Sequence, residues 1–95
     1  MENEIKIESV NEMIVWLIQL IAQEKKVDVS EIDAETPFVD LGLDSMSAVT
    51  LSGDIEMELD FDLSPTILWD YPNVKLLSIY LMDAKSTSET QQTYA

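Results

Sequence analysis

The chain contains no histidine and no cysteine. Without histidine, a serine has no imidazole of its own to take its proton, so the Ser-His-Asp route to nucleophilic catalysis is closed to this sequence acting alone. Without cysteine there are no disulfides and no thiolate metal sites, which fits a reducing, cytoplasmic setting. Glycine and proline are scarce, at two and three residues, while apolar residues make up 46% of the chain. That balance suits a packed core rather than a disordered segment. No apolar run reaches the roughly 20 residues of a membrane span, and the acidic, mixed start Met1 to Glu8 lacks the basic-then-apolar order of a signal peptide. The expectation is one small soluble domain of 95 residues, monomeric and without membrane contact.

Positive charge is missing where negative charge is densest. The formal net charge is −14, and no lysine or arginine occurs from Val27 to Val74, a stretch that holds acids from Asp28 to Asp70. Nucleic acid binding needs the opposite sign and is excluded. Two readings of the acidic surface stay open. It is either a solubilising exterior or a docking field for basic partners, whose attraction speeds encounter and weakens with salt.

What is present reads as helices. Ser9-Val10-Asn11-Glu12 is a capping-box sequence ahead of an apolar run. Val10, Met13, Ile14, Leu17 and Ile21 share one face, broadened by Ile18 and Leu20, which predicts a first helix to about Lys26. Lys25 and Lys26 then complement its dipole, and Trp16 is read as a packed flank. Val27 to Leu43 lacks helical periodicity and is long for a connection. Val29, Ile32, Phe38, Val39, Leu41 and Leu43 are its expected anchors, with single turns at Ser30–Asp33 and Thr36–Pro37.

Asp44 can cap a second helix from Ser45 to about Leu59. Ala48, Leu51, Ser52, Ile55 and Leu59 cluster on its inner side. Met46, Val49, Gly53 and Met57 fall on a different side, with Thr50 and Glu56 at the edges. An apolar stripe there is unexpected for a purely structural helix; the alternative is that Met46 and Val49 pack under the long loop. Phe61 and Leu63 continue the core. Ser64-Pro65 suits the start of a short helix, serine as cap and proline in the first turn. Asn73 caps a last helix from Val74 to about Ala84, with Val74, Leu77 and Leu81 inward and Tyr80 and Ala84 beside them. The polar, aperiodic residues from Lys85 onward are expected to be disordered. The fold class is therefore all-α: a four-helix bundle of three principal helices, a short third helix and a long first loop.

Two chemistries fail on their motifs. Asp60-Phe61-Asp62-Leu63-Ser64 begins like a calcium loop, but its sixth position is Pro65 and its twelfth is Tyr71, where glycine and glutamate are needed. Gly42-Leu43-Asp44-Ser45-Met46 lacks the second glycine of a nucleophile elbow. Taken alone, Ser45 is a common helix-start residue.

The combined pattern says more. Leu41-Gly42-Leu43-Asp44-Ser45-Met46, its Ala48-Val49-Thr50-Leu51 continuation, the Ile32 to Phe38 segment, and Leu63-Ser64-Pro65-Thr66 through Asn73 together resemble the acyl carrier domain of polyketide synthases. The resemblance covers about Val10 to Ala84. It implies domain limits of 1–8 for a flexible lead-in, 9–84 for the carrier and 85–95 for a disordered tail. It implies no catalytic activity, no metal site, and a 4′-phosphopantetheine arm from coenzyme A on Ser45. Leu43, Asp44 and Met46 would form the platform read by a phosphopantetheinyl transferase, which brings its own magnesium and base.

The family's partner-facing positions map onto Met46, Val49, Thr50, Gly53, Glu56 and Met57. Thr50 and Gly53 depart from bacterial fatty-acid carriers, which carry more charge on that face. The run Ala48 to Glu56 with Leu63-Ser64-Pro65-Thr66, and Trp16-Leu17, is similar to carriers loaded by fatty acyl-AMP ligases at the start of polyketide or lipopeptide assembly lines. Ketosynthases or tailoring enzymes would follow as partners. A peptidyl or aryl carrier, or an unmodified acidic interaction module, are the alternatives.

Overall fold

The computed structural model describes residues 7–60 and 62–94, with side-chain surroundings as far as Lys85. Its elements are α1 (Val10–Lys25), two short 3₁₀ turns (Val29–Glu31 and Phe38–Leu41), α2 (Ser45–Leu59), α3 (Ile67–Asp70) and α4 (Val74–Tyr94). This is an all-helical four-helix bundle in which α1 packs most extensively on α4 and also contacts α2, while α3 leans on α2.

The caps follow from short polar side chains at the helix starts. Ser9 Oγ accepts the Glu12 N–H at 3.1 Å, and Asn73 Oδ1 accepts the Leu76 N–H at 2.8 Å. The capping box is shifted by one residue, because the Glu12 carboxylate accepts the N–H of Glu8 rather than that of Ser9. At its other end, α1 closes on Lys26 in the left-handed region, φ 60°. Met13, Leu17 and Ile21 are buried along the face set by the periodicity, and Trp16 packs half-buried against the core. From α4, Val74, Leu77 and Leu81 point inward, and Tyr80 stacks on Tyr71 with ring centroids 4.5 Å apart. Ser78 is also fully buried, and its Oγ finds no partner among the described residues.

Several expectations need correcting. Ile7 is buried in the core, so the packed domain starts before Ser9; Met1 to Lys6 and Phe61 lie outside the described residues. Of the loop anchors, Ile32, Phe38 and Leu43 are buried, but Val29 and Val39 are exposed. A segment without a period gives its apolar residues no assignable face. The short third helix begins at Ile67 rather than at Ser64-Pro65. Ser64 Oγ is engaged with the Thr66 N–H at 3.2 Å, closing a local turn instead of capping a helix. Finally, α4 continues past Ala84 to Tyr94 in its backbone. Nothing from Lys85 to Tyr94 is glycine or proline, and extending an existing helix adds one hydrogen bond per residue fixed.

The long loop is fastened through its middle. Lys75 N–H donates to Ala34 O at 3.0 Å and Phe38 N–H to Pro72 O at 2.8 Å, with an exposed Lys75–Glu35 ion pair at 3.6 Å beside them. These bonds hold the loop against the α3–α4 junction and fix the approach to Ser45.

Candidate functional site

The second 3₁₀ turn ends at Gly42, whose φ of +84° lies in the left-handed region, where a side chain would be strained. Its N–H turns back to Val39 O at 3.2 Å, and Leu43 N–H to Phe38 O at 3.3 Å. Leu43 is buried and anchors the turn from below. Asp44 is extended and caps α2, its Oδ1 accepting the Ser47 N–H at 2.9 Å. Bonds from the Ser47 backbone and side chain hold the Asp44 carboxyl below the ordinary aspartate range, with a smaller pull from the charge of Lys25. Asp44 is therefore an anion at neutral pH.

Ser45 comes next, exposed at the first position of α2. The first-turn N–H groups of a helix have no acceptor within the helix, and with the dipole they favour an anion at this end. The hydroxyl is presented to solvent, on a firm support, without a base of its own.

Along α2, Ala48, Leu51, Ser52 and Ile55 are buried. On the outer side Met46 is 78% exposed, Val49 53% and Met57 77%, and Thr50 and Gly53 are exposed. Met46 and Val49 thus do not pack under the loop. A Cβ added to Gly53 would meet nothing within 4 Å, so no internal packing demands glycine there. Glu56 differs from its neighbours in the stripe. It is half-buried, and its Oε2 accepts the Leu63 N–H at 2.7 Å, so its carboxylate closes the turn after α2 rather than standing free.

Two features of the site were not legible in the sequence. Val39, read as an anchor, and Trp69, in the short third helix, expose apolar surface. Lys25 crosses from the last turn of α1 to donate its Nζ to Gly42 O at 2.9 Å. The available signal was the run without basic residues that begins directly after Lys26, which leaves Lys25 and Lys26 as the nearest cations before the turn.

Comparison with known proteins adds family evidence. Residues 15–81 match the family model described as "Phosphopantetheine attachment site". The chain is 34% identical over 76 residues to one of the subunits of the phenolphthiocerol/phthiocerol polyketide synthase of Mycobacterium tuberculosis, covering 80% of this chain and 4% of that protein. It therefore spans only a small part of the curated relatives it matches. A free-standing peptidyl carrier protein from an uncharacterized secondary metabolic pathway of Acinetobacter baumannii superposes with a TM-score of 0.77 at 36% identity, covering 80% of this chain and 95% of that one. The HMG-ACPI domain from the CurA module of Lyngbya majuscula gives 0.80 at 33% identity, covering 85% and 82%.

Proposed function

Since the chain belongs to the phosphopantetheine-attachment family, carrier domains that are not themselves catalytic, we propose that Ser45 is its attachment residue. The observation that carries this reading is an exposed serine directly after the N-cap Asp44, at the start of a helix inside the matched segment. The residues fit the group. The hydroxyl is open to solvent, the helix end favours the phosphodiester charge, and the chain has no histidine to turn the serine to other chemistry.

In the attachment step Ser45 Oγ attacks the β-phosphorus of coenzyme A. The new P–O bond forms as the bond to the leaving 3′,5′-ADP oxygen breaks, and the serine proton passes to the base of the visiting transferase. When bound, the arm supplies a terminal thiol that holds an acyl group as a thioester. This chain's own residues present the site. Gly42 and Asp44 fix the turn, and Met46, Val49, Thr50, Gly53 and Met57 offer a mainly apolar surface running along α2 from the attachment point. The acidic surface steers basic partners toward it, an attraction that added salt weakens.

The cargo we propose is a fatty acyl chain delivered by a fatty acyl-AMP ligase and passed to a ketosynthase or tailoring enzyme of a polyketide or lipopeptide pathway. A second reading, a peptidyl carrier, is favoured by the likeness to the free-standing peptidyl carrier protein. Incubation with coenzyme A and a broad-specificity phosphopantetheinyl transferase, followed by intact mass, tests the attachment residue. One arm is expected on the wild type and none on Ser45→Ala. A gain that survives Ser45→Ala removes Ser45 from the proposal. Loading the holo form by fatty acyl-AMP ligases and by amino-acid activating domains then separates the two cargoes.

A further inference from the structure

We infer that Lys25, on a different helix from the attachment serine, is a positioning residue for arm transfer to Ser45; this rests on the Ser45 reading above. Lysine in the last turn of a helix ordinarily complements the dipole and hydrogen-bonds the final carbonyls of its own helix. Lys25 does something else with its ammonium. Nζ reaches across to Gly42 O at 2.9 Å, bonding a residue 17 positions away. It also occupies the space over Gly42, since a Cβ there would lie 3.4 Å from Nζ.

The turn is held at its start by Phe38, which is buried and whose N–H donates to Pro72 O at 2.8 Å, but that hold lies four residues before Gly42. Leu43 pins the turn by burial, and the Gly42 N–H is satisfied inside the turn itself. Lys25 ties the Gly42 carbonyl to α1, the helix most extensively packed in the fold. Its charge also reaches Asp44, the cap that immediately precedes the serine. Lys25 thus acts at two points on the three residues that lead into Ser45.

The consequence concerns both placement and charge. A nucleophile misplaced by about 1 Å loses on the order of a hundredfold in rate, and Lys25 limits the swing of the peptide that aims the hydroxyl. The product adds a negative phosphodiester next to the Asp44 carboxylate in a chain of net charge −14. The ammonium at Gly42 offsets part of that repulsion. Lys25 is only half-buried, so removing its charge leaves the core intact, and effects on transfer separate from effects on folding.

The experiment compares wild type, Lys25→Met and Lys25→Arg as transferase substrates with coenzyme A, under conditions where circular dichroism shows each fully folded. The expected result is a fall in kcat/KM of roughly tenfold for Lys25→Met. It should lie mainly in kcat, because the surface that the transferase binds is unchanged, and Lys25→Arg should recover most of it. Amide exchange at Gly42 and Leu43, whose N–H groups bond Val39 O and Phe38 O, should speed up in Lys25→Met while exchange in the middle of α1 does not. Unchanged transfer kinetics in Lys25→Met overturn the inference. So does a loss confined to KM, or one that Lys25→Arg fails to restore. If Lys25→Met is too unstable to assay, Lys25→Gln replaces it under the same criteria. Failure of the Ser45 reading itself would look different, as a wild type that gains no arm or a Ser45→Ala protein that does.

Discussion

α1 and α2 are of similar length, sixteen and fifteen residues, yet they use their apolar residues differently. In α1 the large apolar side chains converge on one buried face, and Val15 is the only one of them among the more exposed hydrophobics. In α2 the inner face is made of modest residues, Ala48, Leu51, Ser52 and Ile55, while two methionines and a valine face solvent. One helix turns its large apolar residues mainly to the bundle; the other turns some to the bundle and some to solvent. The exposed apolar side chains lie on the helix that begins with Ser45, where the proposed function has partners dock.

Substitutions on the two helices should therefore separate stability from partner reactions. The largest expected stability loss is on α1: Leu17→Ala removes a fully buried side chain and should cost about 2–5 kcal/mol in urea unfolding. Its transferase kinetics should match wild type wherever the protein remains folded. Met46→Ser and Met57→Ser should do the reverse. Stability should stay within about 0.5 kcal/mol, while kcat/KM with a loading or elongating partner falls roughly tenfold, the equivalent of 1.4 kcal/mol of contact. Equal losses of stability from both helices would erase the distinction.

Smaller effects sharpen it. Gly53→Ala places a methyl group in open space and should stabilise the protein by up to about 1 kcal/mol through helix propensity. Any accompanying drop in a partner rate would then come from the partner's side of the contact, and unchanged rates would show that close approach is not the purpose of the glycine. The least effect is expected from Asp44→Asn, in the acid range. The folded-state pKa of Asp44 is lowered by its Ser47 bonds, so its contribution is complete above the unfolded value near 4 and fades as pH falls through the native pKa. Asparagine caps without titrating. The variant should lose less stability than wild type in thermal melts as pH falls from about 5 through the acid range; identical acid profiles would assign the acid sensitivity to other carboxylates.

Much of this contrast was written locally in the sequence. Ser9, Asp44 and Asn73 are short polar caps whose partners lie three residues on, and the faces of α1 and α2 follow from a 3.6-residue period. Ser45 and the outer stripe could be named from those two rules and from the family resemblance. What escaped depends on distance along the chain or on weak local preference. The Lys25–Gly42 and Glu56–Leu63 bonds join residues that no local pattern links. Val29 and Val39 sit in a stretch with no period to set their facing. The start of α3 turned on whether Ser64 engaged a turn or a helix, and the course of α4 beyond Ala84 on residues with little propensity either way.

The fastening of the long loop has a consequence for how such a protein can change. Its links to the α3–α4 junction at Ala34–Lys75 and Phe38–Pro72 are made by main-chain atoms, and any residue other than proline supplies the same N–H. The path of the loop is therefore insulated from much of its own wording. Outward positions such as Val29 and Val39 can be rewritten to suit a new neighbour while the approach to Ser45 keeps its course, so the loop is a place where recognition can drift without the scaffold having to be rebuilt.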